Sequence, residues 1–404
     1  MTLSFGRQFL AIPGPTTVPD EVLQAMHRPA IDIYAGELEG ITESVRADMK
    51  RVFRSETADI YLYIANGHGA WEAALANTLS RGDKVLVLES GKFALGWGDM
   101  AIMMGAEVEV LPGKPQGSVD PSAVEARLRA DAGHEIKAIL VVQIDTASGV
   151  INDIAAIRRA IDAAGHPALF MVDGIASIGC VPFEMDAWGV DLALTGSQKG
   201  LMTPPGMSFV AAGPRAKAAA PTADMKTFYW DWDFREGELH YQKYCGTPPE
   251  HLLFGLRRAL DMLLNEEGLE TAWRRHALLA GATRAAIDVW GEGGVLSCRV
   301  PDPAERSDTV TTVSVGGGRD SAELRRFTQE VCGVTLGVGI GDLSENMFRV
   351  AHMGHVNAPM MLGALSTIDL GLKSLGWAHG SGAVEAAIAH LATATSVAND
   401  VAAE

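Results

Sequence analysis

The 404-residue sequence has few cysteines and a shortage of basic side chains. None of its four cysteines forms a C-x-x-C pair, which argues against a zinc site and against a disulfide framework. Asp and Glu number 50 against 33 Lys and Arg, and the charge of −17 disfavours binding to nucleic acid or to an anionic membrane surface. We therefore expect no resident metal and no nucleic-acid partner. An anionic small molecule stays compatible with this charge, since a few local donors suffice to bind it.

The sequence also lacks a continuous apolar run of about 18 residues, the length that a transmembrane helix needs. Residues 1–15 do not combine a basic start with a long apolar stretch, so we expect no signal peptide, no membrane attachment and a cytoplasmic location. Apolar residues make up 48% of the chain and charged residues 21%, as in folded globular enzymes. At roughly 150 residues per domain, the length predicts two domains or more.

Short apolar strands alternate with amphipathic helices along most of the chain. This alternation is typical of an α/β fold in which parallel strands, buried on both faces, are joined by crossover helices. Ligands of such sheets bind beyond the carboxyl ends of the strands. The loops that we expect to carry function follow Ala65, Ser90, Ile144, Val172 and Ser197.

Three regions follow from this reading. Residues 1–20, rich in Pro and Gly, are predicted to form an N-terminal arm, and residues 21–290 a large domain. Within that domain, residues 225–250 interrupt the alternation of strands and helices and are rich in aromatic and acidic side chains. Residues 291–404 return to alternating strands and helices and are predicted to form a smaller C-terminal α/β domain.

The turn Gly67-His68-Gly69 lies between a predicted strand and a predicted helix. A helix N-terminus offers free N–H groups and a partial positive charge, which suit a phosphate group. The sequence has no Walker A loop and no G-x-G-x-x-G after its first strand, so a nucleoside triphosphate or nicotinamide site has little support. Taken alone, this turn is equally well explained as a tight strand-to-helix connection.

Asp173 and Lys199 stand at the ends of two further predicted strands. Each alone is commonly a capping residue or a solvated loop charge. Together with the Gly67 turn, they supply what pyridoxal phosphate requires: an amine for a Schiff base, a carboxylate for the pyridine nitrogen, and a phosphate-binding helix start. The sequence therefore favours a pyridoxal-phosphate site at the carboxyl edge of the sheet.

Five stretches of the sequence resemble the class V pyridoxal-phosphate aminotransferases of the alanine/serine–glyoxylate group. They are Ile12-PGPT, Asn66-GHGAWEAALANTLSRGD-Lys84, Val172-DGIASIG-Cys180, Thr195-GSQKGLMTPPG-Met207 and Phe348-RVAHMGH-Val356. The resemblance extends over nearly the whole chain. It implies the fold type I of pyridoxal-phosphate transferases, with a mostly parallel seven-stranded sheet sandwiched by helices in the large domain.

The resemblance also implies individual roles around the cofactor. Lys199 would form the Schiff base and then shuttle a proton, with a depressed pKa, and Asp173 would pair with the pyridine nitrogen. The residues expected around the rest of the cofactor are Asn66, Gly67, His68 and Gln198 at the phosphate, Thr146 near the ring oxygen, and Phe93, rather than Trp97, on the ring face.

On the substrate side, the resemblance implies that Arg349 grips the α-carboxylate in a bidentate pair, with the backbone at Gly14 beside it. Tyr244 and Thr247 match a motif that donates to the phosphate of a neighbouring subunit's cofactor. The resemblance therefore implies a homodimer with shared active sites and with residues 225–250 at the interface, and leaves a dimer of dimers open.

Three segments depart from the pattern of the serine–glyoxylate relatives and leave the amino donor open. They are Asp32-IYAG-Glu37 in place of D-H-R-[SG], Gln143-IDTAS-Gly149 in place of H-N-E-T-A-T-G, and Tyr244-CGTPP in place of Y-T-P-P. Tyr34 would narrow the pocket against long side chains. His352 and His355 would either reach the distal carboxylate of aspartate or serve as structural hydrogen-bonding groups.

The expected function is transfer of an amino group from a small L-amino acid (alanine or serine, with aspartate as a further candidate) to glyoxylate by a ping-pong route. Pyruvate as the acceptor is an alternative within the same chemistry. A class V lyase or desulfurase is a second alternative, and it would need a nucleophilic cysteine on a loop, for which Cys298 and Cys332 are the candidates. A nucleotide-binding α/β protein without this cofactor is the third.

Overall fold

The computed structural model describes residues 2–34, 36–341 and 344–401, with side chains described up to residue 394. The strands are β1 (Phe9–Ala11), β2 (Asp59–Tyr63), β3 (Lys84–Leu88), β4 (Glu107–Leu111), β5 (Ile136–Val142), β6 (Ile144–Asp145), β7 (Val150–Ile151), β8 (Leu169–Asp173), β9 (Leu192–Gly196), β10 (Ser208–Ala212), β11 (Leu296–Cys298), β12 (Val310–Val315), β13 (Val334–Val338) and β14 (Met347–Ala351).

The α-helices are α1 (Asp20–Met26), α2 (Glu37–Phe53), α3 (Gly67–Thr78), α4 (Lys92–Met104), α5 (Pro121–Ala130), α6 (Ile154–Ala164), α7 (Pro214–Ala219), α8 (Trp232–Arg235), α9 (Glu250–Asp261), α10 (Leu269–Gly291), α11 (Ser321–Cys332), α12 (Ala358–Ser374) and α13 (Ala383–Val401). Short 3-10 helices cover Ala220–Thr222, His240–Tyr244, Pro303–Glu305 and Ser344–Asn346, and Met262–Glu267 is π-helical. In the part of the chain so described, no helix is both long and apolar enough to span a bilayer.

Local side chains explain where several helices begin and end. Asp120 and Asp153 cap α5 and α6, each accepting a hydrogen bond from a backbone amide two or three residues ahead. Gly165, in the left-handed conformation, ends α6. Helix α4 differs, because it follows Gly91 and has no capping side chain of its own.

The large domain is built on a seven-stranded sheet in the order β2-β10-β9-β8-β5-β3-β4. The strands are parallel except for β10, which runs antiparallel to β2 and β9. The predicted fold class, a helix-covered and mostly parallel seven-stranded sheet with a smaller C-terminal α/β domain, is confirmed. The neighbouring strands β5, β8 and β9 are parallel, so their carboxyl ends meet at one edge.

Both faces of this sheet are buried, as the continuous apolar strands predict. Along β8, Phe170 and Val172 contribute to one hydrophobic core, whereas Met171 contributes to the core on the opposite face. This division follows the two-residue period of a strand. The sheet is therefore a rigid platform, and its carboxyl edge places the loops that follow it.

The C-terminal sheet has the order β1-β13-β14-β12-β11. Its first strand comes from the predicted arm, and β1 pairs in parallel with β13. The boundary predicted at 290/291 differs from the observed packing, because Ala286, Ile287 and Trp290 of α10 belong to the C-terminal hydrophobic core. The helix runs unbroken to Gly291, and its break from the large domain lies at Gly268, where φ is +85°.

Candidate active site

A cavity of about 270 Å³ lies at the carboxyl ends of β5, β8 and β9. The sequence-predicted residues that line it are Gly14, Asn66, Gly67, His68, Phe93, Thr146, Asp173, Gln198 and Lys199. They come from six separate stretches of the chain. The topology brings them together because each stretch either follows a strand of this edge or, like the arm, crosses over it.

Asp173 is the last residue of β8, and its side chain is almost completely enclosed at 3% exposure. The indole Nε1 of Trp71 donates to Oδ2 over 2.7 Å, and the amide of Ile175 donates to Oδ1 over 2.6 Å. Burial raises the pKa of Asp173 to about 7, although both hydrogen bonds oppose that rise. The site therefore holds a carboxylate whose negative charge would be stabilised by a bound cation.

Trp71 is a cavity residue that the sequence reading missed. It lies on α3 four residues after Gly67, and residues at this spacing share one face of a helix. The signal was thus present in the sequence, one helical turn beyond the predicted phosphate site. Its role is to direct the Asp173 carboxylate, because an indole N–H is a donor only.

Lys199 lies in the turn that follows β9, where its Nζ donates to the carbonyl oxygen of Pro13. Burial, together with a smaller effect of the positive charge of Arg349, lowers the pKa of Lys199 to about 8. Gly14 has a φ of +111°, and a Cβ at this position would lie 2.5 Å from the lysine Nζ. The arm therefore packs directly on the lysine, and any larger residue at position 14 would have a strained backbone and would displace the lysine.

The start of α3 forms one end of the cavity. The Asn66 side chain caps the helix by accepting from the His68 amide over 3.1 Å. Gly67 packs so closely that a Cβ would lie 2.2 Å from Cδ1 of Ile175. Across the cavity wall, the buried Oε1 of Gln198 has no hydrogen-bond partner in the part of the chain described here. The free amides of the helix start suit an anionic ligand, whereas Oε1 of Gln198 is an acceptor that would need a hydrogen-bond donor.

Phe93 and Trp97 were the two aromatic candidates for the ring face, and only Phe93 lines the cavity. Its ring meets that of Trp71 edge-on, with centroids 6.5 Å apart. Trp97 is fully buried and stacks on the far side of Trp71, with centroids 6.0 Å apart. The one-turn spacing along α4 therefore places one ring in the cavity and the other in the core.

Arg349, on β14 of the C-terminal domain, does not line the cavity itself but contacts its wall at Thr146. Its Nη1 donates to the carbonyl oxygen of Thr146 over 2.9 Å, and its Nε donates to that of Val338 over 2.6 Å. Among the described residues it forms no ion pair with an acidic side chain. Burial lowers the pKa of Arg349 to about 10, so the guanidinium remains a cation at neutral pH. This unneutralised positive charge lies beside the cavity wall at Thr146.

The prediction that His352 binds substrate is wrong. The side chain is 0% exposed, and both ring nitrogens are engaged, Nε2 with Thr311 Oγ1 and Nδ1 with the carbonyl of Asp308, each over 2.9 Å. Burial lowers its pKa to about 3. The strand period explains the result, since residues three apart face opposite sides of a strand and its continuation. His355 lines a different cleft, beside the arm.

The structure of the single chain also contradicts the prediction that Tyr34 narrows the substrate pocket. Its side chain is 78% exposed and does not line the cavity, and its amide is held by the Asp32 carboxylate over 2.8 Å. It therefore does not narrow the pocket of its own subunit. The direction of this side chain could not be predicted, because residues 27–34 form no helix or strand whose period would orient it.

The sequence analysis expected Tyr244 to present its hydroxyl to a second subunit, and the structure contradicts this expectation. The residue is 1% exposed, and its hydroxyl is hydrogen-bonded to Thr42 Oγ1 over 2.8 Å. The 3-10 helix that it ends turns the side chain inward, between α2 and the large-domain core. Thr247, three residues on, is exposed and lies outside the cavity, so its role stays a prediction.

The two cysteines considered for a desulfurase end regular elements rather than occupying loops. Cys298 is the last residue of β11 and Cys332 the last of α11. Burial raises the pKa of both thiols, which disfavours the nucleophilic thiolate. Neither is among the residues that line the cavity. Over the described ranges, no three His, Cys, Asp or Glu side chains are grouped so as to hold a metal ion.

Comparison with known proteins places this geometry in context. The aminotransferase class-V sequence family matches residues 9–353. Serine–glyoxylate aminotransferase of Methylorubrum extorquens is 41% identical over 378 residues, which cover 91% of this chain and 93% of that protein. L-aspartate–glyoxylate aminotransferase of Paracoccus denitrificans is 39% identical over 368 residues, covering 90% and 91%. The crystal structure of pyridoxamine–pyruvate aminotransferase from Mesorhizobium loti superposes with a TM-score of 0.88 at 27% identity, covering 97% of this chain and 100% of that one.

Proposed function

The chain belongs to the class V aminotransferase family, and from this premise we propose that it moves the amino group of a small L-amino acid to glyoxylate by a ping-pong route. Pyridoxal phosphate is the cofactor of this family. The observation that carries the proposal is the meeting of Lys199 and the buried Asp173 in one cavity, at the ends of two adjacent parallel strands.

The residues of the cavity fit pyridoxal phosphate. The buried Asp173 suits a cationic ring nitrogen, and the amine of Lys199 suits the aldehyde. The start of α3 at Gly67 and the –NH2 donors of the Gln198 amide suit the phosphate. When bound, the cofactor supplies an electron sink for the carbon that carries the substrate amine.

The protein's own contribution is to hold charges and to move a proton. Lys199, with a pKa near 8, is partly neutral at physiological pH and is therefore able to accept a proton at Nζ. The carbonyl of Pro13 orients that amine, and Trp71 orients the carboxylate of Asp173. Phe93 covers one face of the cavity and excludes water from it.

We assign the substrate α-carboxylate to Arg349, with the backbone at Gly14 beside it. A guanidinium with no acidic partner in the described chain is suited to a bidentate pair with a carboxylate. Apart from Lys199 and His68, no basic side chain of the described chain lines the cavity. This composition favours serine or alanine as the donor over aspartate, whose second carboxylate would lack a cation.

The names of the relatives support glyoxylate as the acceptor, since the two proteins compared by sequence are both glyoxylate aminotransferases. Pyruvate is the second candidate, favoured by the structural similarity to the Mesorhizobium loti pyridoxamine–pyruvate enzyme. A desulfurase reaction has no support from the positions of Cys298 and Cys332.

We further propose a homodimer whose interface includes residues 225–250. The support is a group of large side chains exposed on this segment, among them Phe228, Leu239 and Tyr241. Thr247 is exposed on the same segment and is the residue that would reach a neighbouring cavity. A dimer of dimers and the cytoplasmic location stay predictions from the sequence.

The test follows the visible absorption of the cofactor in the purified holoenzyme. L-serine, L-alanine, L-aspartate and glycine are added separately, and glyoxylate or pyruvate is added afterwards. We expect serine and alanine to bleach the absorption faster than aspartate does, and glyoxylate to restore it. Release of sulfide, or of ammonia with pyruvate, without reversible bleaching would show a lyase instead.

A further inference from the structure

Helix α4 begins without a cap of its own, and a carboxylate from another element takes that place. The amides of Phe93 and Ala94 donate to Oδ2 of Asp145, over 2.8 and 3.2 Å. Asp145 ends β6 and is 0% exposed. A Cβ at Gly91 would lie 2.4 Å from Cγ of Asp145, so the glycine at that position lets the carboxylate reach the helix.

The second oxygen of the same carboxylate secures the opposite wall of the cavity. Oδ1 of Asp145 accepts from the amide of Ala147 over 2.9 Å, and this bond closes a turn over Thr146. The carbonyl oxygen of Thr146, which the turn orients, accepts the hydrogen bond from Nη1 of Arg349. One buried carboxylate thus connects the start of α4, which carries Phe93, with the guanidinium of Arg349.

Asp145 is fully used by these backbone contacts and does not enter the chemistry directly. It is not one of the cavity-lining residues, and it forms no ion pair with Arg349 in the described structure. Its negative charge stabilises the start of α4 and favours the charged form of Arg349 without forming an ion pair with it, so the guanidinium stays available to an external carboxylate. Asp145 therefore acts on the site through the residues that it positions, Phe93 and Arg349.

We infer that Asp145 is a positioning residue, which fixes Phe93 and the guanidinium of Arg349 relative to each other across the cavity without touching substrate. The inference rests on the proposed function in one respect, namely that Arg349 binds the substrate carboxylate. The connection itself rests only on the hydrogen bonds of the buried carboxylate.

The test is Asp145→Asn, which keeps the shape of the side chain but leaves a single acceptor oxygen. Either α4 or the turn at Thr146 must then lose its acceptor. We expect the KM values for the amino donor and for glyoxylate to rise about tenfold, the size of one lost hydrogen bond to a charged group, with a smaller fall in kcat. In the cofactor-free protein, hydrogen exchange at residues 92–97 should accelerate while that at residues 67–78 stays constant.

Asp131→Asn is the matched control. Asp131 is likewise a buried carboxylate that accepts two backbone amides, those of Glu135 and Ile136. It also contacts Nε2 of His166, and none of these partners lines the cavity. This variant should lose stability without a change in KM. Gly91→Ala is the second variant, for the case in which Asp145→Asn does not fold. The Cβ of the new alanine would displace the Asp145 carboxylate from the start of α4 and should therefore raise KM in the same way.

Unchanged KM values and unchanged exchange in Asp145→Asn would overturn the inference. An equal rise of KM in Asp131→Asn would reduce the effect to general loosening and would also overturn it. A fall in kcat of about a thousandfold at constant KM would make Asp145 a participant in proton transfer instead. If the wild-type enzyme transfers no amino group, the proposed function fails, and faster exchange at residues 92–97 still decides whether Asp145 holds α4.

Discussion

Replacing Gly14 by alanine measures how strongly the N-terminal arm fixes the lysine of the site. The new Cβ would lie 2.5 Å from both Cε and Nζ of Lys199 and 2.8 Å from its Cδ. Side-chain carbons do not approach this closely, so the lysine must move by about 1 Å, a displacement that can cost roughly 100-fold in rate. The backbone strain of a non-glycine residue at φ +111° adds about 1–2 kcal/mol of destabilisation.

The control separates these two effects. Gly382 also has a positive φ, of +90°, but a Cβ there would meet nothing within 4 Å. Gly382→Ala therefore carries the strain without the contact. We expect similar losses in the free energy of unfolding for the two variants, measured by urea denaturation, and a fall of about 100-fold in the rate of cofactor bleaching by L-serine for Gly14→Ala alone. Equal bleaching rates in both variants would show that the arm does not position Lys199.

Three further variants examine the charged groups of the site. Lys199→Ala should abolish turnover while the protein stays folded, and full activity in this variant would remove the lysine from the reaction. Arg349→Gln should raise the KM for glyoxylate by about 10- to 100-fold through loss of charged hydrogen bonds, whereas an unchanged KM would exclude it from carboxylate binding. Because the pKa of buried Asp173 is raised to about 7, the folded cofactor-free protein binds a proton that the unfolded chain releases above about pH 4, so its stability should fall between about pH 4 and 7 by on the order of 4 kcal/mol. Asp173→Asn should flatten this pH dependence, measured by thermal unfolding, and an equal slope in both proteins would refute the raised pKa.

The sequence predicts the fold and the inner part of the site well, for a physical reason. Parallel strands require crossover helices, so the chain order places Gly67, Asp173 and Lys199 at one sheet edge before any side chain is located. The buried apolar strands β8 and β9 make this reading unambiguous. The cavity residues that come directly after strands were therefore predictable from periodicity and motif together.

Side-chain direction outside regular strands was harder to predict. Tyr244 ends a 3-10 helix and Tyr34 lies in an irregular segment, and neither has a period that fixes where the ring points. His352 was predictable in principle, since it lies three positions beyond Arg349 and therefore on the other face. The sequence did not identify Asp145 as a functional residue. Its hydrogen-bond partners are backbone amides, and these groups do not depend on the type of residue.

The pairing of β1 with β13 has a consequence for how the enzyme is made. The arm that holds Lys199 through Pro13 is synthesised before the large domain, whereas its sheet partner, from Val334 to Val338, is synthesised after it. A nascent chain that has completed the large domain still lacks the strand that anchors the arm. The arm is therefore anchored over Lys199 only after the segment from Val334 to Val338 has been synthesised. A chain cut short before Val334 would carry the whole seven-stranded sheet without the strand that anchors the arm.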